Sequence, residues 1–175
     1  LGKYIKENSA WPVKTVFIGP CTAKKYEQKL DTVKPWIDCV ITFEELQALL
    51  DAAGLPPEEQ GELPTDDASY FGRIFARSGG LTEAVAQSIK EQNIDFEPKV
   101  AVCSGIEQCK VALLKAKMGK LAENFIEGMA CEGGCINGAG TISHTPKDKL
   151  TVDNFGKESR KEGINMSVGS YETKF

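Results

Sequence analysis

Cysteine is the residue type through which this chain can do chemistry. The segment Met129-Ala-Cys-Glu-Gly-Gly-Cys135 sets two thiols four residues apart. That spacing puts them on one face of a helix, or close together in a tight loop. Gly133 and Gly134 between them leave the backbone bare, so that something bulky can approach. Thiolates beside bare backbone are what a metal cluster needs. Far upstream, Gly19-Pro-Cys-Thr-Ala-Lys-Lys-Tyr-Glu27 adds a third thiol, Cys21, followed closely by Lys24 and Lys25. A nearby ammonium favours thiolate and stabilises an anionic ligand or cluster. Glu27 is a candidate proton carrier if buried beside such a site, and a surface charge otherwise.

Three thiolates, Cys21, Cys131 and Cys135, are one short of the usual set for an iron–sulfur cluster and of a closed tetrahedral zinc site. A fourth ligand would be Cys39, Cys103, Cys109, the lone His144, or a residue beyond this stretch of chain. The competing reading makes all six cysteines small core hydrophobes. It suits Cys39 and Cys103, each inside an apolar strand, and Cys109 on an apolar helix stripe. It suits Cys131 and Cys135 less, because Gly and Glu flank them. The one histidine, His144, shows no Ser-His-Asp pattern around it, which weakens histidine-based hydrolase mechanisms. Ser78-Gly79-Gly80 opens a helix and reads as a tight turn before an anion site; it matches neither the dinucleotide fingerprint nor the P-loop.

These residues need a scaffold, and the composition provides for one. Apolar residues make up 41% of the chain, enough for a core. The net charge of −4 argues against phosphate recognition as the main role. No apolar run approaches the length of a membrane span. The start, Leu-Gly-Lys-Tyr-Ile-Lys, lacks the apolar region of a signal peptide and an initiator Met, so the chain is expected to be a piece of something longer. Nothing marks it as secreted, so reduced thiols and a cytoplasmic location are expected.

Strands are predicted at 14–19 and 36–42. Thr42 then caps a helix carrying Phe43, Leu46, Leu49 and Leu50, with Glu45 completing a capping box and Gly54 as the stop. Residues 55–69 read as an exposed, acidic, mobile loop. A helix at 81–90, a strand at 99–103, a helix from Ile106 to about Lys117 and a short strand at 124–128 follow. The 106–117 helix carries Cys109, Ala112, Leu113 and Ala116 on one stripe. Alternating strands and helices predict an α/β layered fold with largely parallel sheet pairing, flanked by helices. Ligand sites in such folds gather at the carboxyl ends of strands, where Cys21 and Cys131 both fall. The organisation expected is one α/β domain over 1–144 and a polar tail over 145–175 with at most one short element.

Three segments resemble one family. Residues 17–27 resemble the second signature of the iron-only (di-iron) hydrogenases, 125–138 their third, and 75–84 the stretch between; the resemblance covers roughly 13–143. It implies part of the two-lobed catalytic domain and its H-cluster, a 4Fe-4S cubane bridged to a di-iron unit with carbonyl and cyanide ligands. By this resemblance Cys21 and Cys131 hold the cubane and Cys135 bridges it to the di-iron unit. Lys24 holds a cyanide, Pro20 lies beside the di-iron unit, Met129 and Phe75 shield the cluster, and Glu27 matches a member of the proton path. The implied activity is reversible proton reduction to hydrogen in the intact protein, with an electron carrier such as ferredoxin or fused domains as partner. The chain departs from the pattern in three places. The first cysteine signature is absent, so an upstream segment of the same chain is expected to supply the fourth ligand, and this piece alone to be inactive and without metal. Gly19 stands where catalytic members have Met, and Gly138-Ala-Gly-Thr-Ile142 replaces the usual ending. The last two resemble sensory-type or uncharacterised branches, which keeps a hydrogen sensor, or a non-catalytic iron–sulfur or zinc module, as alternatives.

Overall fold

A computed structural model describes residues 1–61 and 68–172. They divide into two compact units, one built from 1–61 with 138–144, the other from 68–137 with 145–172. Each unit holds one two-stranded parallel sheet.

In the first unit, helix α1 (Gly2–Asn8) precedes β1 (Val16–Ile18), the single turn α2 (Lys24–Glu27), β2 (Cys39–Ile41) and α3 (Phe43–Ala53). Strands β1 and β2 pair Val16 with Cys39 through Ile18 with Ile41. Asp38 fixes the start of this pairing: its carboxylate accepts from the Thr15 amide at 2.8 Å and pairs with Lys6 at 2.7 Å. The helix after β2 starts as the sequence predicts. The Thr42 hydroxyl accepts from the Glu45 amide while the Glu45 carboxylate accepts from the Thr42 amide, satisfying two amides the helix itself cannot. It ends at Gly54 in the left-handed region (φ +66°).

The second unit runs α4 (Tyr70–Arg73), α5 (Gly80–Glu91), β3 (Val100–Ser104), α6 (Ile106–Lys117), β4 (Phe125–Met129), α7 (Asp148–Lys157) and α8 (Ile164–Glu172). Strands β3 and β4 pair in parallel from Val100 with Phe125 to Ser104 with Met129. Side chains alternate across the sheet, and each face has its own helix. On one face the fully buried Glu127 accepts from the Gly79 amide at 2.6 Å and the Thr82 amide at 2.8 Å at the start of α5. On the other, the Cys109 sulfur of α6 lies 3.3 Å from where a Cβ on Gly128 would be.

The α/β class and parallel pairing agree with the sequence, and three local expectations change. The stripe on α6 is narrower than its spacing suggests: Ala112 is buried and Cys109 half-buried, but Leu113 is 60% exposed and Ala116 is exposed. Small residues let α6 sit close on a two-stranded sheet, as Cys109 does against Gly128, and the larger Leu113 is left largely to solvent. Cys39 is exposed, because a strand of three residues offers the core only its middle side chain, Val40. The tail after His144 forms two helices where one short element at most was expected. Their anchors are a close approach and polar bonds: Gly156 packs where a Cβ would meet Ile74 at 2.8 Å, and the α8 amides of Ile164 and Asn165 donate to Glu91 at 2.9 and 2.8 Å. Such contacts leave no apolar periodicity to read. Within the acidic stretch 55–69, Pro57–Glu59 form a 3-10 turn, and 62–67 lie outside the described residues.

Candidate metal centre

The three candidate thiols follow strands of the two parallel pairs. Cys21 comes three residues after β1, in the first unit, and Cys131 two residues after β4, in the second. None of the six cysteines forms a disulfide; Cys21 and Cys131 are half-buried and Cys135 is exposed.

The loop from Cys131 to Cys135 is held by backbone. Gly133 and Gly134 take φ of +81° and +99°, a region L side chains rarely adopt. Arg77 and Gly134 form an antiparallel bridge. The Ser78 amide donates to the Gly133 carbonyl at 2.9 Å, and the Ile136 amide to the Ala76 carbonyl at 3.2 Å. From the β3 side, the Ser104 hydroxyl accepts from the Gly133 amide at 2.8 Å. A Cβ on Gly134 would stand 2.5 Å from the Ser78 nitrogen and 2.7 Å from the Ala76 oxygen. Gly134 therefore lets the thiol loop lie flat on residues 76–78, and Gly133 makes room for the Asn137 side chain, jobs distinct from leaving room for a ligand. Met129, which precedes the loop, is buried; Phe75, on the segment beneath it, is 47% exposed.

Beneath this contact lie two buried charges that the motifs alone do not reveal. The Arg77 guanidinium donates to Glu83 at 2.8 Å and Asp153 at 2.5 Å. Burial alone would lower its pKa, but these two carboxylates outweigh it and hold the group above its ordinary value. Glu127 occupies the amides that open α5, so the Ser78-Gly79-Gly80 turn does bind an anion, the chain's own. Its sequence signal was available: Glu127 is the only charge in the run Phe125–Met129, and a charge in a half-buried strand needs partners.

The Cys21 loop is tied more lightly. The Gly19 amide donates to Ile41 at 3.1 Å, and the Pro20 carbonyl accepts from the Gly140 amide at 2.9 Å. A Cβ on Gly140 would lie 2.5 Å from Thr42, so the unusual Gly138–Ile142 stretch braces this turn. Lys24 makes an ion pair with Glu27 one helical turn on. Both are close to half-exposed and line a cavity of about 200 Å³ with Phe17, Gln28, Val33, Ile37 and Val40. Lys25 instead pairs with Glu45 at 2.6 Å, which holds the Glu45 carboxyl below its usual range.

The remaining cysteines sit apart from these loops in character. Cys103 is buried, and burial first, then the neighbouring Cys109, pushes its thiol up, as suits a core residue. Among the described residues no three His, Cys, Asp or Glu side chains gather closely enough to hold a single ion. The donor type of Cys21, Cys131 and Cys135 fits iron–sulfur chemistry, in which thiolates grip a body several atoms wide.

Residues 1–139 match the family model for the iron only hydrogenase large subunit, C-terminal domain, and the chain belongs to this family. It is 32% identical to iron hydrogenase 1 of Clostridium pasteurianum, an alignment covering 79% of this chain and 30% of the relative. It is 25% identical to a probable cytosolic Fe-S cluster assembly factor of Aedes aegypti, over 79% of this chain and 38% of that one. An apo FeFe-hydrogenase of Chlamydomonas reinhardtii superposes with a TM-score of 0.67 at 18% identity, covering 99% of this chain and 62% of the other, which places the fold among hydrogenase catalytic domains. The chain spans roughly a third of the length of the curated relatives it matches. No helix among the described residues is long and apolar enough to cross a membrane.

Proposed function

We propose that this chain presents Cys21, Cys131 and Cys135 as ligands of an H-cluster, a 4Fe-4S cubane joined to a di-iron unit, and that the intact protein interconverts protons and hydrogen. The observation that carries the reading is the Cys131–Cys135 loop: two thiols follow a parallel strand directly, on a bare backbone fixed by its neighbours. Family membership supplies the role for that loop. When bound, the cluster would relay electrons and provide the metal for hydrogen chemistry. The chain's own residues bind and shape. Cys21 and Cys131 would hold the cubane and Cys135 the bridge to the di-iron unit. Pro20, Met129 and Phe75 would supply the apolar wall that limits water, Lys24 Nζ a charge-assisted donor to an anionic ligand. To serve that way Lys24 must leave Glu27 Oε2, which then has a vacant acceptor for a proton. An upstream segment of the same chain would supply the fourth cubane ligand, and ferredoxin or a fused domain the electrons.

The test uses a longer chain that includes the upstream segment, reconstituted with the cluster. Hydrogen turnover with carbonyl and cyanide infrared bands is expected, and the present 175-residue chain alone is expected to show neither. Absence of the bands in the longer chain would sink the reading. A second reading, a non-catalytic iron–sulfur module, is favoured by the likeness to the Fe-S assembly factor. It expects bound iron and sulfide without those bands. A hydrogen sensor would show the bands with slow turnover and a conformational response in an attached domain.

A further inference from the structure

The second unit contains a device that neither the motifs nor the family match accounts for. The family match ends at residue 139, yet α7, which begins at Asp148, grips the segment that carries the thiol loop. The Arg73 guanidinium donates to the Phe155 carbonyl at 2.9 Å and lies 4.4 Å from the centre of the Phe155 ring. Gly156 lets α7 approach Ile74, which is completely buried. Asp153 accepts from Arg77 Nε at 2.5 Å, while Glu83 of α5 accepts from Nη2 of the same guanidinium at 2.8 Å. The backbone of that same Arg77 bridges Gly134, the residue before Cys135.

We infer that Arg77 is a positioning residue for Cys131 and Cys135, and that Asp153 on α7 fixes it. The inference rests on the ligand role given to those cysteines above. The physical argument is orientation. A guanidinium is a planar fork that holds two carboxylates at set angles. Glu83 and the Ser78 carbonyl, which accepts from Nη1 at 3.2 Å, hold the far end of the fork; the Asp153 carboxylate from α7 fixes its near end at Nε. With its side chain clamped, the backbone on either side of Arg77 is a fixed edge: the Ser78 amide donates to the Gly133 carbonyl, and the Ala76 carbonyl accepts from the Ile136 amide. The loop then meets its cluster already shaped, and the ordering cost is met during folding. By this inference the residues after the family match set the geometry of ligands within it.

The test is made on the full chain without cluster. Asp153→Asn removes the charge, Asp153→Glu restores it, and Glu91→Gln is a control that loosens α8 in the same unit without touching the loop. Amide exchange at Ser78 and Ile136, whose N–H groups bind the loop and its bed, is expected to quicken by about tenfold in Asp153→Asn. It should stay near the parent value in Glu91→Gln and return toward it in Asp153→Glu. Cobalt(II), which absorbs strongly when bound by thiolate, supplies a second signal: the sulfur-to-cobalt band per protein should fall in Asp153→Asn alone. Equal exchange in Asp153→Asn and Glu91→Gln, or no change in either, would overturn the inference. The ligand reading is judged separately, by iron and sulfide uptake in Cys131→Ala and Cys135→Ala. Those variants can fail to lose iron while the exchange result still stands.

Discussion

The two thiol loops follow similar strands and are built on opposite principles. The Cys131–Cys135 loop is over-determined: backbone bonds to 76–78, a hydroxyl from Ser104, and buried charges below. The Cys21 loop has two backbone ties and an exposed ion pair. The difference is between a site shaped before its ligand arrives and one left open to adjust. If Cys131 and Cys135 are ligands as proposed, a pair four residues apart must share one geometry, so rigidity helps it. Under the proposed function, a single ligand beside a lysine that reaches for an incoming anion gains from mobility; in the structure Lys24 pairs with Glu27.

The sharpest way to break this comparison is one kind of substitution made in both units. Gly134→Ala puts a methyl 2.5 Å from a backbone nitrogen, at φ +99°, where no side chain can yield. It should cost about 3 kcal/mol or more and release the loop. Gly54→Ala, at φ +66° with nothing within 4 Å, meets only the backbone penalty and should cost about 1 kcal/mol. Denaturant unfolding followed by circular dichroism gives both values. Equal costs would mean that the loop does not rest on its bed as described.

The second test is pH. Lys6 first, then the Thr15 amide, hold the Asp38 carboxyl well below the usual carboxylate range. The folded state thus binds its proton later than the unfolded chain does. The contribution is fully present above the unfolded value of about 4 and is lost as pH falls toward the folded value. Glu45, held down by Lys25 and the Thr42 amide, acts in the same direction. Both tryptophans, Trp11 and Trp36, belong to the first unit, so their fluorescence reports that unit. Its unfolding midpoint should fall as pH drops from 5 to 3, about the carboxylate range, and fall less in Asp38→Asn. A midpoint with the same pH slope in both proteins would remove Asp38 as the cause.

What the sequence made legible follows from the range of each interaction. The capping box of α3, the Gly54 stop, the strands before Cys21 and Cys131, and the thiols themselves are signals carried within a few residues. The position of Cys39 was not legible, because a strand's burial depends on how many neighbours it has. The two tail helices were missed because Gly156, Asp153 and Glu91 anchor them through close approach and charge rather than an apolar stripe. The bed of the thiol loop was missed for the same reason. Arg77 and Asp153 look like surface charges until the fold brings them together across 76 residues.

The smallest effect on stability should come from the residue with the largest proposed role. Lys24 and Glu27 are exposed enough that water screens their pairing, so Lys24→Gln should change unfolding free energy by less than about 0.5 kcal/mol. The substitution leaves Cys21, its loop and the cavity wall in place and removes only the ammonium. If Lys24 waits on Glu27 for an anion, then the longer chain reconstituted with the cluster should lose cyanide-bearing di-iron unit while its cubane absorbance stays. Cubane and di-iron content measured on one sample separate the two effects. Lys24→Arg keeps the charge but not the compact donor, and should recover only part of the loss. Full di-iron content in Lys24→Gln would return Lys24 to the role its present geometry already gives it, half of a surface ion pair.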